Sequence, residues 1–262
     1  TWDADGNRIS QTTNGQTRTF TYDARDRLVT MEQPGAAPLV FDYDSQGLRI
    51  KKSQGPAETR YQYDQASLIA ETNAIGNLKS RLHYGATQLL ARTEAGGTPT
   101  HRNYLLDALK SPIVLTDNDG AISARTRYDA WGEIRAQQGT SGTLTTTDAN
   151  GATAELLTTD QQSIGFTGYQ KDPESGLYYA QARYYDPTVA RFTSEDPEAG
   201  DAMTPPSLHR YLYAYSNPTV YVDPDGRQSV DSPSYGLRQA IAYAPNDEAR
   251  QRAEGVLAEY QS

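Results

Sequence analysis

An aromatic residue followed by a turn-former recurs along the first half of the chain. It falls at Trp2-Asp3, Tyr22-Asp23, Tyr43-Asp44, Tyr63-Asp64, Tyr84-Gly85, Tyr104 and Tyr128-Asp129, in steps of 20, 21, 20, 21, 20 and 24 residues. Two positions before four of these tyrosines stands another large apolar residue: Phe20, Phe41, Tyr61 and Leu82. A spacing of two puts both side chains on one face of a strand. Turn sequences follow, as in Asp5-Gly6, Ser45-Gln46-Gly47 and Ala130-Trp131-Gly132, and then a second extended run such as residues 27–31 or 48–51. One repeat is therefore a β-hairpin, which cannot bury its apolar face alone. Hairpins stacked edge to edge make one antiparallel ribbon, and strand twist makes it spiral.

Composition fits a broad sheet with one apolar face. Hydrophobic residues are 36% of the chain, while aromatics reach 10%, and an ordered sheet with thinly spread anchors accounts for both. The net charge of −9 argues against nucleic-acid binding by this wall, which would need a basic stripe. Cysteine is absent, so neither a disulfide framework nor thiolate chemistry is expected. No apolar run is long enough to span a membrane. His83, His101 and His209 stand apart without a second ligand at metal spacing, so neither metal nor cofactor is expected. The chain reads as a section of something longer.

Residues 164–226 are denser in tyrosine and carry four Asp-Pro pairs, at Asp172, Asp186, Asp196 and Asp223. Asp-Pro opens tight turns, because the carboxylate accepts backbone N–H groups and proline presets φ. A compact block of short strands and corners is expected there, with Tyr211, Tyr213 and Tyr215 at period two packing inward. Residues 139–163 are small and polar and read as an insertion between repeats and block. Residues 227–235 read as an extended linker. Two helical turns are expected over 236–243. A helix capped by Asn246 follows, with Ala249, Ala253, Val256, Leu257 and Tyr260 on one side.

The motifs TYDARDRL and RYDAWGEI resemble the YD repeats of the Rhs family. GFTGYQKDPESGLYYAQARYYDPTVARFTSEDP with LHRYLYAYSNPTVYVDPDG resembles the Rhs repeat-associated core, carried by Tyr184, Tyr185, Asp186, Pro187, Arg191, Phe192, Pro197, Pro224 and Gly226. Toxin-complex C subunits, wall-associated bacterial toxins and teneurins share these features. The resemblance implies an all-β fold, a spiralling antiparallel hairpin ribbon forming part of a hollow shell, closed by a core plug and followed by a short helical tail. It divides the chain into shell wall (1–138), polar insertion (139–163), core (164–226) and the start of a variable C-terminal toxin (227–262). It implies secretion or surface display by a bacterium. The expected partners are the chain's own toxin segment inside the shell, a type VI spike or toxin-complex component, and an immunity protein.

The resemblance also implies aspartyl self-cleavage after the second DPxG motif. Carried over, Asp196 and Asp223 are the acids, Arg191 or Arg183 orients a carboxylate, and the cut follows Gly226 or Arg227. Two carboxylates brought together cannot both stay ionised, which suits one as acid and the other as base. This chain departs from the pattern at DPEAG for the first motif, at the 27-residue step between the acids and at Arg227 in place of leucine. The alternatives are turn-capping aspartates in a non-cleaving adhesion module of the teneurin or wall-associated kind, and a carbohydrate-binding tyrosine face.

Overall fold

The computed structural model describes residues 1–85, 88–139, 144–146, 163–231, 241 and 247–261. The wall begins with β1 (Ser10–Thr13), β2 (Gln16–Tyr22), β3 (Leu28–Glu32), β4 (Leu39–Tyr43) and β5 (Arg49–Gln54). It continues through β6 (Ala57–Asp64), β7 (Ser67–Thr72), β8 (Leu78–Tyr84), β9 (Leu89–Glu94) and β10 (Thr100–Leu106). It ends with β11 (Pro112–Thr116), β12 (Ile122–Tyr128), β13 (Ile134–Gly139) and β14 (Leu144–Thr146). All 14 lie in one sheet in chain order, each antiparallel to the next. Among the described residues the sheet is open, with β1 and β14 at its edges.

The Asp that follows the aromatic has a repeated physical task. One carboxylate oxygen of Asp44 accepts the N–H groups of Gln46 and Leu48, both at 2.9 Å. Asp3, Asp23, Asp107, Asp117 and Asp129 do the same two and four residues on, and Asn73 does it with its amide oxygen. The residue three past each Asp takes positive φ, as at Gly47 (φ 93), where glycine carries no steric cost. Asp26 (φ 58) and Lys110 (φ 71) occupy the same place without being glycine. Asp44→Ala removes two such bonds and is expected to cost about 1–2 kcal/mol, read as a lowered urea midpoint with unchanged slope.

A bulge precedes the landmark in each forward strand, at Thr21/Tyr22, Asp42/Tyr43, Gln62/Tyr63, His83/Tyr84 and Arg127/Tyr128. In β10 it lies between Leu105 and Leu106. The sixth landmark is therefore Leu106-Asp107, and Tyr104 fills the buried place held elsewhere by Phe20, Phe41, Tyr61 and Leu82. That correction removes the long step in the spacing. The repeat uses leucine at this landmark in place of tyrosine.

One face of the wall is covered by residues 163–231. This block contains β15 (Gln170–Asp172), β16 (Leu177–Ala180), β17 (Arg183–Asp186) and β18 (Arg191–Phe192), followed by the pair β19 (Tyr221–Val222) and β20 (Val230–Asp231). Leu177, Tyr179 and Tyr184 pack on Phe20, Leu28, Met31, Leu39 and Phe41. Ile164 joins Tyr61, Leu68, Leu82, Leu89, Tyr104 and Leu115. Inside the block Phe166, Tyr169, Tyr178, Tyr185, Phe192 and Tyr213 form the densest core, with Tyr128 and Trp131 of the wall against it. Trp2 near the start of the wall meets Tyr211 edge-on, and the backbone oxygens of Trp131 and Gly132 near its end accept the hydroxyls of Tyr185 and Tyr178. Early and late repeats thus touch the same block, so the sheet curves around it.

Two buried arginines lock wall to block. Five residues past the turn Asp, the wall carries Leu28, but Arg8 and Arg49 at the equivalent places. Arg49, 1% exposed, pairs with Asp172, 0% exposed, and its guanidinium lies 4.7 Å from the Tyr61 ring and 4.6 Å from the Tyr179 ring. Lys52 adds a second cation to Asp172 at 3.1 Å. Arg8 pairs with Asp186 at 2.8 Å, whose other oxygen accepts Thr188 N–H at 3.0 Å. Asp186 caps its turn as expected of an Asp-Pro corner, while the Asp172 carboxylate is taken up by wall cations.

Past β20 the structure describes one helix, α1 (Asp247–Gln261), with Asp247 and Glu248 in its first turn where the dipole favours them. Val256 is exposed. Of the expected turns over 236–243 only residue 241 is described, as helical, and the Asn246 cap and most of the 139–163 insertion, apart from β14, lie outside the described residues. The stretch expected to be a plain linker instead supplies β20. Among the described residues no helix is long and apolar enough to cross a membrane.

Candidate functional site

Asp223-Pro224-Asp225-Gly226 builds a turn like those of the wall, except that its acid accepts four and five residues on instead of two and four. Asp223 Oδ1 accepts the N–H of Arg227 at 3.0 Å and of Gln228 at 3.1 Å, and Gly226 has φ 74. Any Cβ at Gly226 would sit 2.5 Å from the Ala180 carbonyl oxygen, so only glycine passes here. What further separates this turn from the others is burial and one arginine. Asp223 is 1% exposed. Arg183 Nη2, on β17, forms an ion pair with Asp196 Oδ2 at 2.7 Å and donates to Asp223 Oδ2 at 3.2 Å. Its Nε donates to the Gly226 carbonyl oxygen and its Nη1 to the Arg210 carbonyl oxygen. The guanidinium lies 3.7 Å from the Phe192 ring centre, which fixes its plane.

The two acids named from the sequence are therefore brought to one nitrogen, and the Gly226–Arg227 peptide is held by Arg183 at its oxygen and by Asp223 at its nitrogen. Arg183 is the arginine at the site. Arg191 is exposed on β18, where its backbone pairs with Asp186 and Leu212. Register puts them on opposite faces, Arg183 with Tyr185 and Phe192 and Arg191 with Tyr184 and Asp186, and only Arg183 is buried. The longer step between the acids is absorbed by an outward loop. Its base is closed by Asp196 N–H to the Arg210 carbonyl at 2.9 Å, and the Arg210 guanidinium donates to the Asp196 carbonyl. Within it Ser207 Oγ accepts the Asp201 N–H at 2.7 Å. Loop length adds little closure cost, so the insertion leaves Asp196 in reach.

Among the remaining motif residues, Tyr184 accepts a bond from Arg49 at 2.8 Å, and Tyr185 and Phe192 lie in the block's core. Pro187 is buried, Pro224 half-buried and Pro197 exposed. Tyr213 packs inward as expected, while Tyr211 and Tyr215 are half-buried. His209 meets Tyr211 edge-on and borders the acids' cavity. His83 and His101 share the Thr93 hydroxyl, each at 2.8 Å. Sequence reasoning missed Tyr169, whose buried hydroxyl donates to the Asp223 carbonyl oxygen. Its place in a tyrosine-rich run gave no signal that set it apart.

Burial raises the proton affinity of both acids. Burial pushes the Asp223 carboxyl up to about 7, with Asp225 and Asp196 adding to the rise and Arg183 opposing it. Burial raises Asp196 as well, again against Arg183. Asp172 behaves oppositely, since Arg49 and Lys52 outweigh its burial and hold it below the usual carboxylate range. Because Asp223 binds its proton more tightly folded than unfolded, its contribution to stability is present below 3.8 and is lost as pH rises toward about 7. Urea titrations across that window should show stability falling with pH, and Asp223→Asn should flatten the fall. A cavity of about 630 Å³ opens beside the site, lined by Asp196, Asp223, Tyr215, His209, Arg227 and Gln228 among others. Among the described residues no group of His, Cys, Asp and Glu is arranged to hold a metal.

Comparison with known proteins agrees with this architecture. Residues 2–37 match the RHS Repeat family model. The chain is 34% identical to the tRNA3(Ser)-specific nuclease WapA of Bacillus spizizenii, over 86% of this chain and 9% of that protein. It is 29% identical to the double-stranded DNA deaminase toxin A of Burkholderia cenocepacia, over 80% of this chain and 15% of that one. Among solved structures, TcdB2-TccC3-Cdc42 superposes with a TM-score of 0.61 at 20% identity, covering 91% of this chain and 11% of that one. The chain thus spans about a tenth of the length of the first of these relatives. The consecutive hairpin ribbon, the turn aspartates and the Asp-Pro block, with this likeness, place the chain in the Rhs (YD-repeat) proteins.

Proposed function

We propose that this chain is the closing section of an Rhs shell that encloses and delivers a C-terminal toxin, and that its block cuts the chain once, between Gly226 and Arg227. One observation carries the cut: Arg183 holds the Gly226 carbonyl oxygen while binding both carboxylates. As water attacks the carbonyl, negative charge grows on that oxygen, where the guanidinium already sits. Asp196, the more exposed acid and a wall of the cavity, takes a proton from the water as base. Asp223 carries the proton held by its raised affinity and stands at the Arg227 nitrogen, which must gain one to leave. Water is added across the bond, giving a carboxylate at Gly226 and an ammonium at Arg227. The acids and guanidinium suffice without a cofactor.

The delivery reading draws on the relatives, named as a nuclease and a toxin, and on the wall, whose open edges suit further repeats of a shell. Export from a bacterium, with a type VI spike or toxin-complex partner and an immunity protein, belongs to the same proposal. The variable toxin would begin at Arg227. A second reading, a non-cleaving surface spacer, is favoured by the likeness of the Asp223 turn to the ordinary wall turns. A denaturing gel separates the two. Cleavage gives a small fragment beginning at Arg227, and the spacer runs as one band.

A further inference from the structure

Both sides of the Gly226–Arg227 bond are held by the block, and not by the bond alone. Upstream, Ala182 N–H donates to the Asp225 carbonyl at 3.0 Å and Arg183 holds the Gly226 oxygen. Downstream, Arg227 and Gln228 donate to Asp223 Oδ1. The chain then returns as β20 against β19, with Val230 opposite Val222 and Asp231 opposite Tyr221. Val222 is buried, and Val230 lines a cavity between wall and block with Tyr169, Leu68, Leu89 and Ile164. None of these downstream contacts passes through the peptide bond that cleavage removes.

Resting on the cleavage reading, we infer that the severed tail stays docked on the block as the second strand of the β19–β20 ribbon, its new ammonium at Arg227 paired with Asp223. Hydrolysis turns the Arg227 N–H into an α-ammonium, charged at neutral pH, and Asp223 gives up its proton in the same step. A neutral hydrogen bond at 3.0 Å thereby becomes a charge-assisted one, roughly twice as strong. The nascent Gly226 carboxylate meets Arg183 in the same way. Cutting and release are thus separate events, and release requires peeling residues 227–231 from the block. The interaction surface is a strand edge, and its partner is this chain's own product, bound by β-augmentation.

The test is size exclusion of the purified chain under native conditions, with a denaturing gel of each fraction. Among the described residues the sheet is open at β1 and β14, so co-elution is read as docking on the block and not as confinement in a closed shell. The expected result is a cut chain whose tail co-elutes. In Val230→Pro, which removes a backbone donor from β20 and lies outside the cutting machinery, cutting persists and the tail dissociates with an affinity roughly tenfold weaker. A tail that separates from the unaltered cut chain overturns the docking, as does a Val230→Pro tail held as tightly as before. A single uncut band overturns the cleavage itself, and the docking with it.

Discussion

Asp223→Asn leaves the chain in one piece, with cleavage slowed by about 10²–10⁴-fold, the range for loss of a positioned acid or base. The substitution is nearly isosteric. The asparagine oxygen still accepts the Arg227 and Gln228 N–H groups that Asp223 Oδ1 accepts, so the turn and the β19–β20 ribbon persist. What disappears is the proton that the leaving nitrogen must receive. Two further readouts mark the variant as folded: a urea midpoint close to that of the unaltered chain near neutral pH, and the loss of the pH slope assigned to Asp223. Asp196→Asn should also slow cutting while leaving the Asp223 turn untouched. Cutting at the ordinary rate in Asp223→Asn would remove that residue from the chemistry and return it to the role of a turn former.

The largest effect on stability is expected at the seam between wall and block. Arg49→Leu places at the wall's inward position the residue found there as Leu28 in the preceding repeat, but it abandons Asp172 in a fully buried site. Breaking one side of a buried pair costs roughly 3–5 kcal/mol, mostly from the charge left behind. Lys52 remains at 3.1 Å from Asp172, which argues for the lower end. Adding Asp172→Asn removes the stranded charge, so the double variant should lose less than the sum of the two single losses. Urea unfolding of the four proteins measures this directly. Simple additivity would mean that the two groups do not depend on one another.

Most of the wall was legible because hairpin repeats write their period into the chain. Aromatic, Asp and glycine recur because each solves one local problem: an anchor, two satisfied N–H groups, and a left-handed corner. The misplacement at Tyr104 shows the limit of that signal, since Leu106 does the same packing without being aromatic. The acid pair was legible from the DPEAG and DPDG motifs, yet the choice between Arg183 and Arg191 required knowing which face of a strand each occupies. Arg8 and Arg49 carried a readable signal that went unused, an arginine where a neighbouring repeat has leucine. Their partners, Asp186 and Asp172, lie far along the chain, and no local pattern ties such distant residues together. The β19–β20 ribbon was missed because two-residue strands leave no periodicity.

The intact mass of the purified chain tests the central claim most directly, because it reports both whether the backbone is cut and where. The account predicts two species, one ending at Gly226 and one beginning at Arg227, whose masses sum to that of the whole plus one water. A single mass equal to the uncut chain would contradict it.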